Sequence, residues 1–257
     1  MVDALKDVTV LSRGGLFTNE EALTMATQNP GAAIRMLNME ISQFGGYRRI
    51  NGYSLFGGGS SARPNSSNQI YGLFVYADGV IAAGGSNIYF SQDGTSWLQI
   101  NKASVASSGD NHTAFTGRSV LARTSQGQCQ FALFEGATFD YGQVFISDGV
   151  NKPFAFRMEG TGALTDRTFF AEEVTVTGTK GVKYVTIHDK HLIAAGVEDN
   201  LNTIFYSGTL DPTDFTSSGS GNIVLEDQVE GIRGFRDELF IFCTNSIFKL
   251  QDINGTV

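Results

Sequence analysis

Beyond residue 70 the chain is written in short apolar runs that alternate with polar or glycine positions, each run closed by a tight-turn signal. Tyr71-Gly72-Leu73-Phe74-Val75-Tyr76 reads as a strand, Ala77-Asp78-Gly79 as a turn, and Val80-Ile81-Ala82-Ala83-Gly84 as the returning strand. Ile88-Tyr89-Phe90-Ser91 supplies a third strand, and Asp93-Gly94 turns the chain towards Trp97-Leu98-Gln99-Ile100. The same grammar returns at Tyr184–Ile187, His188-Asp189-Lys190, His191–Gly196 and Ile204–Ser207. It returns again at Gly231–Phe235, Arg236-Asp237, Glu238–Phe242 and Ser246–Lys249. A more diverged copy pairs Phe131–Phe134 with Val144–Gly149. Aligning Ile88, Val144, Ile204 and Ile247 gives a spacing of roughly 43 to 60 residues, the size of a four-stranded propeller blade. The pattern predicts an all-β, β-propeller-like body over residues 70–257. Few repeats, and a chain that stops at Gln251–Val257 just after a strand, predict a propeller that is incomplete or closed by strands from elsewhere.

The first 56 residues follow another rule. Thr18-Asn19-Glu20-Glu21 is a capping-box pattern that predicts a short helix through Ala22, Leu23 and Met25, stopped near Asn29-Pro30-Gly31. Ala32–Leu37 predicts another helical turn. Asn38–Ser42 reads as extended, and Gly45-Gly46 turns the chain into Tyr47-Arg48-Arg49-Ile50. This helical and extended segment holds too little apolar surface to fold alone, so residues 1–56 are expected to be an N-terminal arm that docks on the body or on a neighbouring subunit. Residues 57–69, rich in Gly and Ser, read as a linker.

Composition sharpens the class. Among 257 residues, 31 Gly, 20 Phe and 8 Tyr against 4 Pro suit many tight turns between half-buried strands. A formal net charge of -8 disfavours sequence-independent nucleic-acid binding and attachment to an anionic membrane. No apolar run reaches membrane-spanning length, so no membrane insertion is expected. Cys129 and Cys243 sit in apolar strand-like runs and read as buried free thiols in a reducing cytosol.

Candidate chemistry is thin. Ser91-Gln92-Asp93-Gly94-Thr95-Ser96-Trp97 is one residue short of the Asp-box turn of sialidase-like propellers, whose role is structural: the Asp caps backbone N–H groups and the Trp packs between strands. His188 and His191 flank a hairpin turn, and with His112 they read as exposed turn residues without a third ligand for a metal. Asp110-Asn111, Glu198-Asp199-Asn200 and Asp211-Pro212-Thr213-Asp214 read as Asx turns and caps in preference to calcium sites. No nucleophile elbow or phosphate loop is present. The expectation is a non-enzymatic chain with no catalytic, metal or cofactor site.

The arm carries a resemblance. Arg13-Gly14-Gly15-Leu16, Ala33, Leu37-Asn38-Met39-Glu40 and Gly45-Gly46-Tyr47-Arg48-Arg49-Ile50-Asn51-Gly52-Tyr53 resemble the N-terminal signature of bacteriophage virion structural proteins, with Asn51 where that family usually has Pro. Tyr206-Ser207 followed by Asp211-Pro212-Thr213-Asp214-Phe215 is similar to the same proteins. The resemblance implies a tail nozzle or head-to-tail connector, located in the virion tail or neck and assembled in the host cytoplasm. It implies a homo-oligomeric ring of about six copies around the DNA channel, with adjacent adaptor, tail or fibre proteins as partners. Viral DNA would pass without specific binding, because acidic walls give no phosphate-neutralising contacts. The residues expected at interfaces are Leu16, Phe17, Asn38, Tyr47, Arg48, Arg49 and Tyr53. The competing expectation is a carbohydrate- or receptor-binding, tailspike-like propeller, with or without glycosidase activity. A third class, a cellular interaction hub, would need no arm and more regular repeats.

Overall fold

The structure, a computed structural model, describes residues 16, 32–33, 37, 39–41, 47–50, 56, 64, 69–100, 115–116, 127–136, 139–178, 181–251 and 253. The chain divides into two compact units, Met1–Leu55 and Phe56–Val257.

In the first unit, β1 (Met39–Ile41) and β2 (Tyr47–Arg49) form an antiparallel ribbon with Glu40 opposite Arg48. The extended reading of Asn38–Ser42 holds over Met39–Ile41, and the segment after Gly45-Gly46 is the returning strand. Ala33, expected in a helical turn, instead makes a parallel bridge with Leu16. The helix expected from Thr18 lies outside the described residues.

In the second unit, four small sheets are arranged as a four-bladed β-propeller, with no α-helix among the described residues. Blade 1 is β3 (Ile70–Tyr76), β4 (Gly79–Gly84), β5 (Asn87–Ser91) and β6 (Leu98–Gln99). β7 (Phe115–Thr116) precedes blade 2, which is β8 (Gln130–Phe134), β9 (Gln143–Ser147), β10 (Phe154–Glu159) and β11 (Thr168–Glu173). β7 adds to the edge of blade 2 in parallel with β11; every other strand pair is antiparallel. Blade 3 is β12 (Val182–His188), β13 (His191–Val197), β14 (Asn200–Tyr206) and β15 (Gly221–Val224). Blade 4 is β16 (Val229–Phe235), β17 (Glu238–Cys243) and β18 (Ile247–Leu250).

Strand periodicity explains the packing. Successive side chains point to opposite faces, so each blade offers one face to the blade before it and one to the blade after. Three apolar clusters result, one at each junction between consecutive blades. Phe74, Tyr76, Ile81 and Phe90 of blade 1 meet Phe131, Ile146, Phe156 and Phe169 of blade 2. Phe134 and Phe145 of blade 2 meet Val185, Leu192 and Ala194 of blade 3. Tyr184, Ile193 and Ile204 of blade 3 meet Ile232, Leu239 and Ile241 of blade 4. The second strands carry small residues because both their faces are covered: Ala82 and Ala83 in β4, Ala194 and Ala195 in β13, all fully buried.

Three sequence expectations change in detail. Val144, aligned with Ile88 and Ile204, lies in the second strand of its blade, whereas those two lie in third strands. The strands β10, β11 and β15 were not anticipated, and they complete blades 2 and 3. The first hairpin turns at Ala77 and Asp78, with Ala77 at φ 52, and Gly79 already belongs to β4. Gly79 serves close approach: a Cβ there would lie 2.4 Å from the Ser91 carbonyl oxygen.

Candidate functional site: uncovered blade faces and an interblade cleft

Polar side chains reinforce the junction of blades 1 and 2. The Tyr76 hydroxyl donates to the Gly142 carbonyl at 2.8 Å and accepts the Met158 N–H at 3.1 Å. Burial pushes its phenol up to about 12. Arg167, with its side chain 2% exposed, forks onto Asp78 at 2.8 and 2.6 Å and also donates to the Gly162 carbonyl. These hydrogen bonds hold the Asp78 carboxyl down at about 2. The turn of blade 1 is thereby tied to blade 2.

At the two ends of the series, exposed apolar side chains find no such partner among the described residues. On blade 1, Leu73 and Val75 point away from blade 2 and are 64% and 75% exposed. On blade 4, the register places Phe235, Phe240, Phe242 and Ile247 on the face away from blade 3. Phe235, Phe242 and Ile247 are 58%, 43% and 67% exposed, and the Phe235 and Phe240 rings stand 6.5 Å apart. Among the described residues, no fourth apolar cluster joins blade 4 to blade 1. Large apolar patches that remain in water mark interaction surfaces.

A cleft of about 990 Å³ opens between the inner hairpins of blades 3 and 4. Thr186, His188 and Asp189 line one wall; Arg233, Gly234, Phe235 and the Arg236-Asp237 turn line the other. Gly234 helps create it, since a Cβ there would find only the Ile187 carbonyl oxygen, at 3.9 Å. His188 Nε2 is buried and, alone among the buried side-chain nitrogen and oxygen atoms of the described residues, has no hydrogen-bond partner.

The histidines differ from expectation. His191 is fully buried and His188 nearly so, because both sit at strand ends facing blade 4 while Asp189 and Lys190 form the turn. His191 Nδ1 contacts the Ser207 carbonyl, its Nε2 lies 3.3 Å from the Thr209 hydroxyl, and Tyr206 packs edge-on against the ring. His112 and the Asp110-Asn111 pair lie outside the described residues.

The Asp-box segment is a structural turn, as read. Asp93 accepts the Thr95 and Ser96 N–H groups at 2.8 and 3.0 Å, and Ser91 Oγ accepts the Gly94 N–H. These bonds, the one from Ser96 foremost, hold the Asp93 carboxyl well below the usual range. Trp97 is half-buried, donates to the Gly94 carbonyl and meets Phe56 edge-to-face. Asp211 and Asp214 likewise cap the Thr213 and Thr216 N–H groups, and the Asp214 carboxyl is held at about 2, chiefly by Thr216. Among the described residues, no group of three His, Cys, Asp or Glu side chains is gathered as a metal ion requires. Cys129 is buried, Cys243 half-buried, and neither forms a disulfide. No helix of the described residues is long and apolar enough to cross a membrane.

Of the expected interface residues, Leu16 is exposed and bridges Ala33. Tyr47, Arg48 and Arg49 stand together in β2, and Arg48 donates to Glu40 at 2.6 Å across the ribbon. Phe17, Asn38 and Tyr53 lie outside the described residues. Leu37, Met39 and Ile50 of the same unit are also exposed, an apolar set that alternation along the arm could have revealed. The blade 1 and blade 4 faces were missed for a different reason: alternation defines two faces per strand without saying which one is covered.

No protein-family model matches the chain, and no curated protein matches it.

Proposed function

We propose that the chain is a structural subunit of a phage tail or neck, a nozzle or connector component. It assembles into a homo-oligomeric ring that forms part of the DNA channel wall and docks on neighbouring adaptor, tail or fibre proteins. The observation that carries this reading is apolar surface left in water at both ends of the blade series, Leu73 and Val75 at one and Phe235, Phe242 and Ile247 at the other. A chain that works alone has no use for such faces, whereas an assembling one covers them. The first unit has exposed apolar residues of its own, Leu16, Leu37, Met39 and Ile50. The net charge of -8 suits a wall along which DNA slides without sticking. The resemblance of the arm to virion structural proteins supplies the setting: a virion part, assembled in the host cytoplasm, acting without catalysis.

The test is the mass and symmetry of the purified full-length chain, by mass photometry and electron microscopy. A closed ring, about six copies in the form the resemblance implies, is the expected result. A single copy at every concentration overturns the reading.

One observation favours a second reading, a carbohydrate- or receptor-binding propeller: the cleft between blades 3 and 4, with the unpartnered His188 Nε2 in its wall. Binding to host-surface glycans that is lost on Gly234→Ile would establish it. Glycan arrays that stay blank would remove it.

A further inference from the structure

Within the molecule one kind of contact occurs three times: the forward face of a blade packs on the rear face of the next. The contacts share a chemistry. Aromatic and β-branched side chains from the two inner strands meet across the junction, as Phe74 stacks on Phe131 with ring centres 5.4 Å apart. The series leaves over the forward face of blade 4 and, on the rear of blade 1, the strip of β3 that carries Leu73 and Val75; Ala82 and Ser91 further out on that side are already buried. The forward face of blade 4 offers Phe235, Phe240, Phe242 and Ile247, and the rear face of blade 1 offers Leu73 and Val75. β3, β4, β5 and β6 place no charged side chain on that rear face, so covering it strips water from no ion. On the forward face the charged residues are Arg233, Glu238 and Lys249, the last two paired at 2.7 Å. Their long stems can lie along apolar surface with the heads in water.

The two leftover faces are therefore a donor and an acceptor of the type the molecule already joins three times. We propose that they join a fourth time between copies: the forward face of blade 4 in one copy packs on the rear face of blade 1 in a second copy of this chain. The contact is heterologous, so repetition closes it into a ring or extends it as a filament. This rests on the reading above that the chain assembles with itself, and it names the surfaces that do so.

The experiment uses two full-length variants, Phe242→Asp with Ile247→Asp, and Leu73→Asp with Val75→Asp. All four side chains are exposed in the single copy, so both variants should melt as the parent does when dilute. Each alone should remain a single copy in sedimentation, with association weakened by about a hundredfold or more. Mixed in equal amounts, they should form one-to-one pairs, because each retains the face that the other lacks. A parent chain that assembles while both variants assemble equally well overturns this inference and leaves the ring reading standing. Variants that stay single when mixed overturn it too, since the intact faces then fail to meet. A parent chain that is itself a single copy overturns both.

Discussion

The junction of blades 1 and 2 and the outer face of blade 4 are built from the same residue types on the same pleat, and they end in opposite environments. At the junction, Tyr76, Phe90, Phe156 and Phe169 are all less than 2% exposed, and polar groups finish the seal. On blade 4, Phe235 and Phe242 stand about half in water. Residue chemistry does not separate the two regions; the presence of a facing sheet does. An aromatic face in a repeat architecture is best read as one half of a contact, and the missing half identifies where assembly occurs.

Substitutions can break that comparison, beginning with the largest effect. Phe156→Ala empties a fully packed site between Tyr76 and Phe169 and should cost about 3–5 kcal/mol in urea unfolding. Phe242→Ala, on the uncovered face, should change the stability of the dilute single copy by less than about 1 kcal/mol. Equal losses at the two positions would mean that the outer face is covered after all. Tyr76→Phe removes no volume from the core but leaves the Met158 N–H and the Gly142 carbonyl without their partner, and should cost about 2 kcal/mol.

Asp78→Asn loosens the tie from Arg167. Because the Asp78 side chain is 46% exposed, water screens the pair, and the expected loss at neutral pH is about 1 kcal/mol. The pH dependence is more informative. The carboxyl is held at about 2, below its ordinary value of 3.8, so its contribution is complete above about pH 4 and disappears as pH falls through 2. The variant should lack that part of the acid dependence, which unfolding curves between pH 2 and pH 5 would reveal. The smallest effect is expected at Lys190, which holds φ 63 in its turn: Lys190→Gly should stabilise by about 0.5 kcal/mol, seen as a small rise in Tm.

Much of the body was legible in the sequence because period-two alternation and paired turn residues are local signals. The hairpins on either side of Ala77-Asp78, Asp189-Lys190 and Arg236-Asp237 fall where the apolar runs and turn residues put them. Phe154-Ala155-Phe156-Arg157-Met158 alternates just as clearly, yet β10 went unread; Pro153 and the Asp148–Asn151 turn before it masked the start. The histidines were misplaced because a residue beside a turn looks exposed in one dimension, whereas His191 is enclosed by Ser207, Tyr206 and Thr209, all far along the chain. The uncovered faces were out of reach for the same reason. Whether Phe242 or Ile241 meets another sheet depends on the order of blades, and no local pattern carries that information.

The most direct test of the central claim is carbene footprinting of the full-length chain as its concentration rises into the assembling range. Labelling at Phe235, Phe242, Ile247, Leu73 and Val75 should fall together, while Phe156 and Phe169 remain unlabelled throughout. Labelling at those five positions that stays constant while the particles grow would contradict the account, because the chain would then be assembling through some other surface.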